Sequence, residues 1–152
     1  MAFLSSMSIV GSGLTAQQLR MDVISENVTN MHTTRTENGE PYRRKMVVFE
    51  EQGERQTFQE ALARAAGRAL TPNNDEGGVR VTQIVEDASD FKQIYDPTHP
   101  DADENGYVLL PNVDLVKETV DAMAAQQAYT ANVTVFNAIK GMATSALEIG
   151  KG

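Results

Sequence analysis

The sequence predicts an α+β fold: long N- and C-terminal helices pair as a coiled-coil-like core, with a small antiparallel β middle domain. Three observations carry this. Apolar residues at both ends recur every three or four positions, over runs longer than an ordinary globular helix. The middle switches to strand formers punctuated by Gly-Gly and Asn-Gly. The 152 residues are 41% hydrophobic and 22% charged, with no Trp and 6% aromatics, so a core of modest size is aliphatic.

The first helix occupies the segment 1–34. Its stripe is Phe3, Met7, Val10, Leu14, Gln17, Met21, Ile24, Val28 and Met31, spaced four, three, four, three throughout. Met7, Leu14, Met21 and Val28 share one heptad position, and the others share the second. Gln17 is the polar member, and a buried Gln there fixes register. Gly11 and Gly13 each weaken the helix by roughly 1 kcal/mol relative to Ala. Asn27 and Asn30 lie near its end, where Asn competes for backbone hydrogen bonds, and Asn30 with Thr33 terminates it.

The segment 35–110 is β-rich. Asn38-Gly39 marks a turn, and Tyr42–Glu51, Val79–Val85, Phe91–Tyr95 and Tyr107–Leu110 are expected strands of one small antiparallel sheet. Residues 54–71 differ: Ala-rich, with Phe58, Leu62, Ala66 and Leu70 four apart, they are expected to form a short helix.

The segment 111–152 carries the second long helix, expected over 112–149 and roughly 55 Å long at 1.5 Å per residue. Pro111 and Asn112 start it, and Asp114 and Glu118 suit its positive end. Its stripe runs through Val113, Val116, Val120 and Met123. After a phase shift near Gln127 it continues through Ala128, Asn132, Val135, Ile139, Met142, Ala146 and Ile149. Tyr129 and Asn132 are its notable polar members; Asn132 either bonds across the seam or faces solvent. Rods this long, held by a narrow seam, leave apolar surface that a small middle domain does not cover. The inference is self-association or a larger assembly.

Several functions are excluded or weakened. There is no cysteine, hence no disulfide framework, thiolate metal site or cysteine nucleophile. The formal charge of −8, with no Lys/Arg run, argues against nucleic acid and anionic membranes as partners. The N-terminus is apolar but has no basic region before Arg20 and no run long enough to insert in a membrane, so it is a poor Sec signal. Asp101, Asp103, Asn105 and Gly106 imitate the first half of a calcium loop. Position twelve, however, falls on Asn112, where Glu belongs, and Pro97 and Pro100 preclude an entering helix. A calcium-binding interaction module over 101–112 is therefore the alternative to a plain turn. His32 and His99 have no neighbouring motif that proposes catalysis, and no cofactor is expected.

Tyr95-Asp-Pro-Thr-His-Pro100, Gly106-Tyr-Val108, Pro111-Asn-Val113 and Ala128-Tyr-Thr-Ala-Asn132, together with Asn27-x-x-Asn30, are similar to the FlgC family of bacterial flagellar basal-body rod proteins, within the rod/hook axial family. The likeness runs nearly end to end. It implies a structural subunit of the proximal rod, the basal-body drive shaft, with no enzymatic activity. It implies export by the flagellar type III apparatus without a cleaved Sec signal, and assembly in the periplasm. Implied partners are copies of the chain, other rod proteins, and membrane-ring and export-gate components at the rod base, with no nucleic acid and no direct membrane insertion. The terminal helices would form the inner core domain and the middle an outer domain. Residues 53–74 depart from the family as an insertion. On this reading, assembly and packing fall to Met7, Val10, Leu14, Met21, Ile24, Asn27, Val28, Asn30, Val116, Val120, Met123, Tyr129, Asn132, Val135, Ile139 and Met142.

Overall fold

The computed structural model of the chain describes residues 2–52, 62, 65, 66 and 77–150. In chain order these form α1 (Ala2–Thr29), β1 (Lys45–Glu51), β2 (Val79–Glu86), β3 (Lys92–Tyr95), β4 (Tyr107–Leu110) and α2 (Leu115–Ile149). The α+β class is as expected. The helix expected over 54–71 and the insertion over 53–74 lie outside the described residues, apart from Leu62, Ala65 and Ala66, where the Ala66 N–H donates to the Leu62 carbonyl at 2.9 Å.

The strands form two separate pairs rather than one sheet. β1 and β2 run antiparallel: Gln52 N–H donates to the Gly78 carbonyl at one end, and Asp87 N–H to the Arg44 carbonyl at the other. β3 and β4 are antiparallel, with Lys92 opposite Leu110 and Tyr95 opposite Tyr107. What separates the pairs is the turn after β2. The Asp87 carboxylate accepts the Ser89 N–H at 2.9 Å, and the carbonyls of both residues accept from the Asn112 amide. No ladder can continue through backbone groups already engaged in this way. Tyr42–Arg44 likewise fall outside β1, because Tyr42 N–H donates to the Thr33 carbonyl and Arg44 N–H to Asn112 Oδ1.

Helix boundaries follow from caps. Asn30 bonds the Glu26 carbonyl through both its backbone N–H and its side chain, and the Thr33 hydroxyl donates to Asn30 Oδ1, which closes α1. α2 starts at Leu115, three residues later than expected, because Asp114 and not Asn112 is the N-cap. The Asp114 carboxylate accepts N–H bonds from Val116 at 2.9 Å and Lys117 at 3.4 Å. Those bonds, Lys117 first, hold its carboxyl below the usual range.

Two compact units divide the chain. The first comprises Met1–Ala16, Phe49–Arg80 and Tyr129–Gly152, as far as these are described. Here the Ser12 hydroxyl donates to the Ile9 carbonyl at 2.7 Å and accepts the Val79 N–H at 3.1 Å. Gly77-Gly78, expected only as a break, brings the start of β2 against α1. A Cβ on Gly78 would stand 2.4 Å from Ser12 Oγ, and its φ of +130° also favours glycine. Gly13 similarly makes room for Asn132: a Cβ there would meet the Asn132 amide nitrogen at 3.0 Å.

The second unit comprises Gln17–Val48 and Val81–Ala128. Its buried hydrophobic residues are Val23, Ile24, Tyr42, Val108, Val113 and Ala125. Each fully buried Val or Ile contributes about 1.5–3 kcal/mol. So few large side chains make a thin core, and the polar residues packed beside it carry correspondingly more of the specificity.

The two faces of α2 differ sharply. The more covered positions are Glu118, Ala122, Ala125, Tyr129, Asn132, Phe136, Ile139 and Ala143, an unbroken heptad pattern with no phase shift. Val116, Val120 and Met123 lie on the opposite face, at 73%, 60% and 65% exposure. The expected second stripe therefore joins two faces. Asn132 and Ile139 lie inward, whereas Val116, Val120, Met123, Val135 and Met142 are exposed. The covered face mixes Glu118, Asn132 and three alanines with Tyr129, Phe136 and Ile139, so the most hydrophobic periodicity does not trace it. In α1 the most buried positions are Ala16, Val23, Ile24 and Asn27, of which Ile24 lies on the expected stripe and the others lie beside it. Met7, Val10, Leu14, Met21 and Val28 flank them, half-buried.

Candidate functional site

The chemistry-bearing residues converge where the end of α1, the approach to β1 and the first turns of α2 meet, within the second unit. Asn27 is 1% exposed and Glu118 0%. The Asn27 amide nitrogen donates to the Lys45 carbonyl at 2.9 Å and to Glu118 Oε2 at 3.0 Å. Its oxygen accepts from the Tyr42 hydroxyl and from the Lys45 N–H, each at 2.9 Å. Both donors and both lone pairs of the amide are thereby used.

Arg44 extends the network. Its Nε donates to Glu118 Oε1, and Nη2 donates to Asp121 Oδ2 at 3.1 Å, while Nη1 lies 3.7 Å from Asp87 Oδ2. Burial alone would lower the guanidinium pKa, but the hydrogen bond to Glu118 and the charges of Glu118, Asp121 and Asp87 together raise it. Arg20 of α1 reaches Asp121 at 3.5 Å. Asp87 is held below the ordinary carboxylate range by the Ser89 N–H and hydroxyl, with Arg44 adding to the effect. Asn27 and Asn30 were expected from the sequence to matter. Arg44 and Tyr42 were not distinguished within a strand-like run, and Glu118 was seen only as a favourable charge near the helix start. No local pattern marks a side chain whose partners lie up to 91 residues away.

Burial, then the charges of Glu26, Glu118 and Glu86, push the Tyr42 hydroxyl up to about 12 from its ordinary 10.0. A raised pKa favours the protonated form in the folded state. This contribution to stability is complete below pH 10 and is lost as pH rises through about 12. Parent protein is expected to lose stability across that window more steeply than Tyr42→Phe, as measured by urea unfolding at stepped pH. Equal slopes would refute the assignment.

The 101–112 loop is a turn whose carboxylates are engaged inside the protein. Asp101 accepts the Thr34 hydroxyl at 2.8 Å and pairs with Arg35 at 3.9 Å. Asp103 accepts the Asn105 and Tyr107 N–H groups at 2.9 and 2.8 Å. Gly106, at φ +80°, fits beneath the Tyr95 ring, which stacks edge-on against Tyr107 at 5.3 Å. Asn112, the position at which calcium would need a carboxylate, accepts the Arg44 N–H instead. Among the described residues no group of three or more His, Asp or Glu is placed to hold a metal. His99 Nδ1 accepts the Asp101 N–H at 3.1 Å, within the same turn. No helix among the described residues is long and apolar enough to cross a membrane.

Residues 7–35 match the family described as Flagella basal body rod protein, and residues 104–149 match Flagellar basal body rod FlgEFG protein C-terminal. The chain is 50% identical to the flagellar basal-body rod protein FlgC of Bacillus subtilis, across 96% of this chain and 97% of that protein. It is 44% identical to the FlgC of Borreliella burgdorferi, over the whole of both chains, and 38% identical to that of Salmonella typhimurium, across 99% of this chain and all of that protein. The chain belongs to the FlgC family. It is a structural subunit of the flagellar basal-body rod and not an enzyme. The two family-matched segments hold Asn27 and Asn30 in one, and Asp114, Glu118 and both faces of α2 in the other. Tyr42 and Arg44, which complete the network, lie between them.

Proposed function

We propose that the chain is exported by the flagellar type III apparatus and builds the proximal rod in the periplasm. There it packs through its terminal helices against copies of itself and other rod proteins, and meets membrane-ring and export-gate components at the rod base. The observation that carries this is the outward face of α2: Val116, Val120 and Met123 are each at least 60% exposed on the face opposite the one the chain itself covers. Val135 and Met142 add exposed apolar surface farther along the helix. Met7, Val10, Leu14, Met21 and Val28 flank the covered face of α1 and are the natural contacts for a neighbouring subunit. Apolar surface of this extent is removed from water by association.

Basal bodies purified from cells lacking this chain are expected to show membrane rings without a rod on electron microscopy, with the rod restored by the parent gene. Complete rods in its absence would overturn the reading.

A further inference from the structure

Within the second unit the covered face of α2 is poor at choosing its own alignment. After Glu118 it presents Ala122 and Ala125 on successive turns. Two methyl-sized groups a turn apart offer similar volumes when one helix slides by a turn along the other, so packing against them discriminates weakly. Gln17, expected to fix register, does not do so through its carbonyl: its Oε1 is buried with no hydrogen-bond partner among the described residues. The groups with demanding partners are those of the Glu118 network. Glu118, on α2, is held from two sides at once, by the α1 amide of Asn27 and by Arg44 ahead of β1. Asp121, one turn on, is shared by Arg20 of α1 and Arg44. A slide of one turn, about 5.4 Å, would strand a buried carboxylate and a buried amide together.

We propose that Glu118 and Arg44 are positioning residues that select the α1–α2 register, and so set where Val116, Val120 and Met123 stand relative to α1. This does not depend on what covers that outward face.

The chain contains no cysteine, so an engineered pair reports register without interference. A Cβ at Gly13 would lie 3.5 Å from Asn132 Cγ, the atom whose place the sulfur of Asn132→Cys takes, so Gly13→Cys with Asn132→Cys is the pair that reports the native register. Companion full-length chains carry Gly13→Cys with Ala128→Cys or with Ala125→Cys, to trap slipped registers. In dilute solution, the parent background is expected to cross-link rapidly only through position 132. With Arg44→Met and Glu118→Met together, the 128 and 125 pairs are expected to close at rates within about threefold of the 132 pair. Continued exclusive closure through 132 in a helical, folded double variant would overturn the proposal and reduce the network to a purely stabilising role. Should the double variant not fold, Glu118→Gln, which keeps the side-chain shape, decides: slipped cross-links support the proposal, and cross-linking through 132 alone overturns it.

Discussion

Asn27→Leu is expected to destabilise the protein by about 4 kcal/mol, among the largest effects available to a single substitution in this chain. Leucine is close to asparagine in size and more hydrophobic, so area arguments alone would predict a gain. The hydrogen bonds decide otherwise. The substitution removes the partner of the Tyr42 hydroxyl, the Lys45 N–H, the Lys45 carbonyl and Glu118 Oε2 in one step. Each buried group left without a partner costs about 1–3 kcal/mol, and the leucine side chain excludes water from the place of the amide. Domains of this size are stable by only about 5–15 kcal/mol, so the variant is expected to be marginal. At a typical urea dependence of about 1–3 kcal/mol/M, the midpoint should fall by roughly 2 M. Asn30→Leu is the control, since Asn30 bonds mainly its own helix end and should cost about 1 kcal/mol. A midpoint for Asn27→Leu within about 0.3 M of the parent would show that the network is not a unit.

The same residues show how much of this fold is legible in sequence. Both long helices, the positions of β2, β3 and β4 to within one residue, and the turn at Asn105-Gly106 follow from periodicity and turn chemistry, because those signals act between neighbours in the chain. The start of α2 was misplaced because Asn112 and Asp114 are equally good caps on local grounds. What separates them is that the Asn112 side chain is already engaged by Arg44, Asp87 and Ser89. The orientation of α2 was hidden for a related reason. Hydrophobic periodicity finds the most apolar face of a helix, and in an assembling subunit that face need not be the one the chain covers itself. Here the chain covers Glu118, Ala122 and Ala125, and leaves Val116, Val120 and Met123 exposed. Family resemblance supplied what the pattern could not, namely that such a helix belongs to a rod.

That division makes a second substitution decisive. Val120→Asp, alone or with Met123→Asp, is expected to abolish rod assembly and swimming while leaving the isolated subunit folded. At 60% and 65% exposure, both side chains are largely in water in the single chain, so a carboxylate there costs little. Its effect on isolated stability should stay within about 0.5 kcal/mol. In a packed helix interface the same carboxylate loses its water and gains no partner, at a cost of several kcal/mol per subunit. The penalty recurs wherever that face is buried in the assembly. Val120→Thr keeps the shape and introduces only a hydroxyl, so it should weaken swimming without abolishing it. Three measurements together carry the test: urea unfolding of the purified variant, its recovery outside the cytoplasm, and motility in soft agar. A stable, exported Val120→Asp/Met123→Asp protein in fully motile cells would mean that this apolar face meets no neighbour in the rod, and the assembly surface would have to be sought on the flank of α1 instead.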